Sequence, residues 1–280
     1  MLGCDGGQHR KLAAQRRRTA PHPPRPARAK ALLGAGQLAR AQGDYGTARE
    51  LMDTSIGAYQ QIGDDTGTAF AMFGAGFVAE MQESYDDARR YFRASMDLAR
   101  QTGNGYAAAL TLHHLGLIAL ELDGDLAAAR EFLQESLANF RTVGFPRHIA
   151  LVLSTLGIAA GRDGQISEAR QLQSQALGLF LDSGQHVDIH RVLQGFAELA
   201  EAEGDLEQLV RLAATAERQR SHTGDAVWGL VRRQRDRRLA AARKALGDTR
   251  YEAAWREGQG LSPTEAAARL LGPATCDPQP

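Results

Sequence analysis

Residues 76–95 read Gly76-Phe77-Val78-Ala79-Glu80-Met81-Gln82-Glu83-Ser84-Tyr85-Asp86-Asp87-Ala88-Arg89-Arg90-Tyr91-Phe92-Arg93-Ala94-Ser95. A small residue, Gly76, is followed twelve positions later by Ala88 and seven later again by Ser95, while apolar residues recur at three and four spacing on either side of Glu83-Ser84. Two helices approach closely only where their facing side chains are short, so this stretch predicts helix, turn, helix. Working outward, the same triplet returns as Gly36, Ala48, Ser55, then as Gly116, Ala129, Ser136 with one extra residue assigned to its turn. It continues as Gly157, Ala169, Ala176 and decays to Ala197, Leu209, Ala216. Glycines suited to left-handed C-caps fall between the units at Gly63, Gly103, Gly144, Gly184 and Gly224. A second set of turn residues, Gly43-Asp44, Glu83-Ser84, Gly124-Asp125, Gly164-Gln165 and Gly204-Asp205, falls inside them. The period is about 40 residues, and such a period marks stacked supersecondary units.

Composition narrows the class. The chain has 280 residues, 33 Lys+Arg against 33 Asp+Glu, and 43% hydrophobic residues, which excludes a collagen, a coiled-coil rod and a disordered acidic tail. Cys4 and Cys276 lie at opposite extremities, so neither a disulfide framework nor a four-ligand zinc site can be built from them. No window holds about 18 uninterrupted apolar residues; the best candidate, Ala107 to Leu120, is split by His113 and His114. A soluble protein of the reducing cytoplasm, with no membrane partner, is expected. Residues 1–30 carry eight basic residues against Asp5 and four of the nine prolines, the composition of a disordered tail. The body is mildly acidic, poor equipment for phosphate backbones, and no direct nucleic-acid partner is expected.

The 12-and-7 spacing of small residues resembles the tetratricopeptide repeat. Its usual period is 34, and the six added residues lengthen the second helix and its loop in a way that resembles the sensor region of MalT-like transcription regulators. Beyond the repeats, Leu246-Gly247-Asp248, Tyr251-Glu252-Ala253-Ala254-Trp255, Gly258 and Leu261-Ser262-Pro263-Thr264-Glu265-Ala266-Ala267-Ala268 are similar to the C-terminal region of bacterial predicted-ATPase regulators of the LuxR type. The resemblance implies an all-α, right-handed superhelix of about five helix-turn-helix repeats over residues 31–226, capped by helices in 227–272, with tails at 1–30 and 273–280. It also implies the sensor part of a larger regulator, whose ATPase or DNA-binding module is encoded separately. There is no Gly-Lys dipeptide with which to build a P-loop, and only nine residues follow Leu271. Residues 226–246 read as one helix broken at Gly247, 248–257 as another ended at Gly258. Ser262-Pro263-Thr264-Glu265 reads as a capping box opening a third.

No catalytic constellation is visible. His186 and His190 have metal-ligand spacing, but His190 aligns with Ala69, Ala109 and Ala150, where helices pack, so neither metal nor cofactor is expected. His113 and His114, being adjacent, point in different directions. Glu198 and Glu201 read as members of a solvated face, and no Gly-x-Ser-x-Gly elbow is present. Arg232, Arg233, Arg235, Arg237, Arg238, Arg243 and Lys244 are distributed around one helix and read as solvated, pairing with Glu201, Glu203 or Glu207. The positive signal is a groove. In each unit the first helix should line the concave face, with Leu33, Gln37 and Arg40, then Phe73, Phe77 and Glu80, then His113, Leu117 and Leu120, then Ser154, Ile158 and Gly161 outward. Phe73, Phe77, His113, Leu117 and Ile158 are the candidate binding residues, for a protein or peptide partner or a small-molecule inducer. The alternative is that they fill a tight superhelix.

Overall fold

The turns explain the architecture. The computed structural model describes residues 25–184, 188–223 and 229–271, and among these every regular element is a helix. Five pairs follow one another: α1 (Pro26–Ala41) with α2 (Tyr45–Ile62), α3 (Asp65–Met81) with α4 (Tyr85–Gln101), α5 (Gly105–Ile118) with α6 (Leu126–Val143), α7 (Pro146–Arg162) with α8 (Ile166–Asp182), and α9 (Ile189–Ala202) with α10 (Leu206–Thr223). Helices α11 (Gly229–Leu246), α12 (Asp248–Gly260) and α13 (Pro263–Leu271) complete the chain. Eight of the turn glycines, four of them from each set, have positive φ, from 65° to 81°. A polar residue follows most of them and caps the next helix: Asp44 accepts from Thr47 N at 3.0 Å, Asp64 from Gly67 N at 2.7 Å, Asn104 from Ala107 N at 3.0 Å and Asp125 from Ala128 N at 3.0 Å. Gly224 and His186 lie outside the described residues. In the second unit Glu83 occupies the left-handed position at φ 60°, a conformation that costs a side-chain-bearing residue about 1–2 kcal/mol.

The small residues do what their spacing predicts. A Cβ on Gly76 would stand 2.6 Å from the Phe92 ring, on Gly116 2.7 Å from Leu133 Cγ and on Gly157 2.8 Å from Gln173 Nε2. Each glycine therefore admits one large buried side chain from the partner helix. The serines have a second role: Ser55, Ser95 and Ser136 donate to the carbonyls of Ala29, Ala69 and Ala109 at 2.9, 2.8 and 2.7 Å. Because these donors are wholly buried, each removes an unsatisfied polar group from the core while stitching the second helix to the first. Between units runs a ladder of arginines, each following the small Ala of its second helix. Arg49 pairs with Asp87 at 3.2 Å, Arg89 with Asp123, Arg130 with Glu168 at 2.8 Å and Arg170 with Glu203.

Four expectations change. Helix α1 starts at Pro26, five residues ahead of the boundary expected, because proline is suited to the first helical position and Ala29 is fully buried there. The extra residue of the third unit is not in its turn: α5 ends in a π turn, Ala119–Asp123, and Gly124-Asp125 keeps the geometry of the other turns. One added residue rotates the succeeding side chains by about 100° around the helix axis, so Leu120 turns away from the groove and packs with Ala119, Ala129 and Ala159. Gly258 does not end α12, which continues to Gly260; a Cβ at 258 would lie 2.2 Å from the Arg211 carbonyl oxygen, so this glycine lets α12 lie against α10. Finally, the capping helices divide: α12 packs along α10 and α13 against α9 and α10, whereas α11 crosses the first-helix face. The capping box of α13 is formed, with Ser262 N donating to Glu265 Oε2 at 2.7 Å and Glu265 N to Ser262 Oγ at 3.2 Å.

Adjacent first helices touch one another, α1 with α3, α3 with α5 and α7 with α9, whereas adjacent second helices scarcely do. The first-helix face is therefore the inside of the curve. The stretch Gly105–Asp123 is long and apolar enough to cross a membrane by length and composition, yet it is the first helix of the third unit, and 67% of its apolar 18-residue window is buried within the array.

Candidate ligand and partner groove

The first helices, α10 and α11 line an open chamber of about 670 Å³. Phe73, Phe77, His113 and Leu117 all line it, because four-residue spacing keeps Phe73 with Phe77 and His113 with Leu117 on one face of α3 and α5. Ile158 does not. It borders a separate depression of about 140 Å³ with Gly157, Arg162 and Leu199, and packs beside Leu120 and Ala159. Its helical register matches that of Leu117, but Arg238 of α11 crosses at this level to reach Glu198 and Glu201, at 2.7 and 3.0 Å. Glu198 and Arg238 border both cavities.

The centre of the aromatic wall is a residue the spacing did not single out. The His114 ring lies 5.3 Å from Phe73, 5.1 Å from Phe77 and 5.2 Å from Phe92, and its Nδ1 is 2.8 Å from Glu80 Oε2. The Arg40 guanidinium stands over the Phe77 ring, 4.6 Å from its centroid. Glu80, expected to face outward, is only 2% exposed, and its Oε1 has no hydrogen-bond partner among the described residues. Burial pushes its carboxyl above the usual range, with the adjacent His114 opposing that rise. His113 is buried too, at 9% exposure, and shares a 3.1 Å hydrogen bond with Thr155 Oγ1 that bridges α5 to α7. Burial, aided by the neighbouring His114, Arg191 and His148, holds its pKa well below the ordinary histidine value.

The far end of the chamber is polar. Arg147 donates to both oxygens of Asp188, at 2.6 and 3.1 Å. His148 stacks on Phe140 at 4.9 Å, and its buried Nδ1 lacks a partner among the described residues. His190, placed by register at a packing position, is 6% exposed and lines this end. Glu198 is not on a solvated face. Its side chain is 9% exposed and lies between Arg162, at 3.1 Å, and Arg238, while Arg162 also holds the buried Glu121 at 3.0 Å. The basic helix is likewise only partly solvated: Arg235 meets Glu217 at 2.6 Å and Arg238 meets Glu201, whereas Glu203 pairs with Arg170 and Glu207 with Arg211 and Arg250. Helical spacing of Val231, Arg235, Arg238 and Leu239 carried the signal for this inward stripe.

Paired helices with small-residue contacts and a first-helix groove have a counterpart in the sequence comparisons: a family model described as Tetratricopeptide repeat matches residues 27–101, 68–142 and 106–182, more than half of the chain. The chain belongs to the tetratricopeptide repeat family. The crystal structure of BtubC (BKLC) from P. vanneervenii is similar to this tetratricopeptide-repeat protein, with a TM-score of 0.58 and 18% identity over 80% of this chain and 94% of that one, a likeness of fold. No curated protein matches the sequence. Repeats of this family are protein-interaction modules, and the all-helical fold is typical of non-enzymatic scaffolds.

Proposed function

We propose that this tetratricopeptide-repeat protein is a receiving module without catalytic activity, in which α1 to α10 form the receiving body and α11 to α13 close it. A protein or peptide partner, or a small-molecule inducer, docks between Phe73, Phe77, His113 and Leu117. Docking then alters how a separately encoded ATPase or DNA-binding module behaves, in a cytoplasmic regulator of the MalT-like, LuxR-type kind. The observation that carries the reading is the chamber: its volume of about 670 Å³ falls within the roughly 300–1,000 Å³ of ligand sites. That volume supports a receiving groove over the alternative that these side chains fill a tight superhelix. The chamber also combines aromatic walls with buried polar atoms, Glu80 Oε1 and His148 Nδ1, that lack partners among the described residues. The regulator context draws support from the period near 40 and from the resemblance carried by residues 246–268.

The test is a calorimetric titration of a cross-linked and identified partner against the full-length protein and the Phe73→Ala/Phe77→Ala variant. Loss of two central aromatic anchors is expected to weaken binding at least tenfold, since anchors of this kind each contribute about 2 kcal/mol. Unchanged affinity refutes the groove. A free-standing scaffold would use the same groove, and partners that include no ATPase and no DNA-binding protein identify that role instead.

A further inference from the structure

Helix α11 lies across the first-helix face, from the second unit to the fifth. Its Arg233 pairs with Glu83 at 2.6 Å, and Leu230 and Val231 join the cluster of Phe73 and Leu117. Further along, Gln234 Nε2 donates to the Glu121 carbonyl at 3.1 Å, Arg238 meets Glu198 and Glu201, and Arg235 meets Glu217. The carboxylate of Glu83 lies against the first turn of α11, where a Cβ on Gly229 would stand 2.1 Å from its Oε1. Four other units place glycine at the Glu83 position; here a side-chain-bearing residue adopts the left-handed conformation and its carboxylate meets Arg233 of α11.

The hold combines these ion pairs with apolar contacts of Leu230, Val231, Leu239 and Leu246, all only partly buried. Of the 18 residues of α11 only Ala242 is buried, and the chamber remains open beneath the helix. Second helices of the repeats, by contrast, bury residues such as Phe92, Phe140 and Phe180 completely. A helix that buries a single residue completely and meets the groove through one amphipathic stripe can give place to another helix of the same pattern. We propose that α11 is a resident occupant of the groove, and that the partner this surface fits is a basic amphipathic helix that takes its place. Such a helix carries an apolar residue, Gln and Arg three and four positions on, Arg at seven and an apolar residue at eight, as Val231, Gln234, Arg235, Arg238 and Leu239 do. This inference rests on the groove reading above and names its partner class.

The experiment uses the full chain and a fluorescent synthetic peptide of residues 229–246. In the Arg235→Glu/Arg238→Glu variant, hydrogen exchange over α11 is expected to speed up at least tenfold while α7 and α8 keep their protection. Anisotropy should show this variant binding the peptide at least tenfold more tightly than the unsubstituted chain does, and a peptide bearing the same two reversals should not bind. Arg233→Glu, at the solvent edge, is the milder variant and should give about a threefold change in both readouts. Unchanged exchange over α11, equal peptide affinity for both chains, or a released α11 with no peptide binding overturns the proposal; the last outcome makes the site a small-molecule chamber walled by α11. Failure of the groove reading looks different: α11 is released and the peptide binds, yet partner binding ignores Phe73→Ala/Phe77→Ala.

Discussion

Two alanine substitutions separate the packing role of the repeat glycines from their intrinsic effect on helices. Gly57 and Gly76 both lie in helix interiors, in α2 and α3, so Gly→Ala brings the same gain in helix propensity at each, about 1 kcal/mol. Their surroundings differ. A Cβ at Gly57 meets nothing within 4 Å, whereas at Gly76 it would stand 2.6 Å from Phe92 Cε1 and 2.8 Å from Cδ1. Carbon atoms in contact sit about 3.5–4.0 Å apart, so the ring must retreat by about 1 Å. It has nowhere to go: Phe92 is fully buried and its ring packs 5.8 Å from Phe73 and 5.2 Å from His114. Overpacking of this kind costs about 1–3 kcal/mol. Gly57→Ala should therefore stabilise by about 1 kcal/mol, and Gly76→Ala should be neutral or destabilise by up to about 2 kcal/mol. The difference between them isolates the clash, because the propensity cancels. Urea denaturation followed by circular dichroism measures it, with thermal midpoints moving about 2–4 °C per kcal/mol in a chain of this size. Equal shifts for the two variants refute the claim that Gly76 is required for the approach of α3 to α4.

Removing Arg162 leaves the buried carboxylate Glu121 without its cation, and Glu198 with Arg238 alone. Arg162→Ala should cost about 3 kcal/mol in urea titrations at neutral pH. Burial already raises the Glu121 pKa, and loss of Arg162 raises it further, so the deficit should shrink as pH falls towards 5 and the carboxyl protonates. The histidines act in the opposite sense. Burial lowers the pKa values of His113 and His148, so their contribution is full above about 6.5, the unfolded histidine value, and is lost as pH falls through it towards the folded values. His113→Gln, which can keep a hydrogen bond to Thr155, should flatten the decline in stability between pH 7.5 and 5.5; an unaltered slope would show that His113 does not titrate with unfolding.

Much of the fold is legible in single residues because a repeat solves the same packing problem at each period. Gly36, Gly76, Gly116 and Gly157 mark where a second helix must come close, and Ser55, Ser95 and Ser136 mark where it is stitched to the first. The Ala-Arg steps at 48–49, 88–89, 129–130 and 169–170 carry the inter-unit ladder in the same register. Phe73, Phe77, His113 and Leu117 follow from that register as well, since facing direction along a helix is a local property. The π turn at Ala119–Asp123 is not local in the same way. An extra residue can be absorbed in a loop or in a helix, and burial of Leu120 and the ion pair of Glu121 with Arg162 favour the helix.

The polar pairs in and around the groove depended on tertiary structure. Glu80 meets His114 across 34 residues, Glu121 meets Arg162 across 41 and Arg233 meets Glu83 across 150. Such pairs have no period, and their formation depends on the curvature of the stacked units and the path of α11. The seven basic residues of α11 and the acids that receive them were present in the amino-acid string. Only the folded chain decides which arginines turn inward, because that choice follows from the distance between one face of a helix and carboxylates brought near it by the whole array.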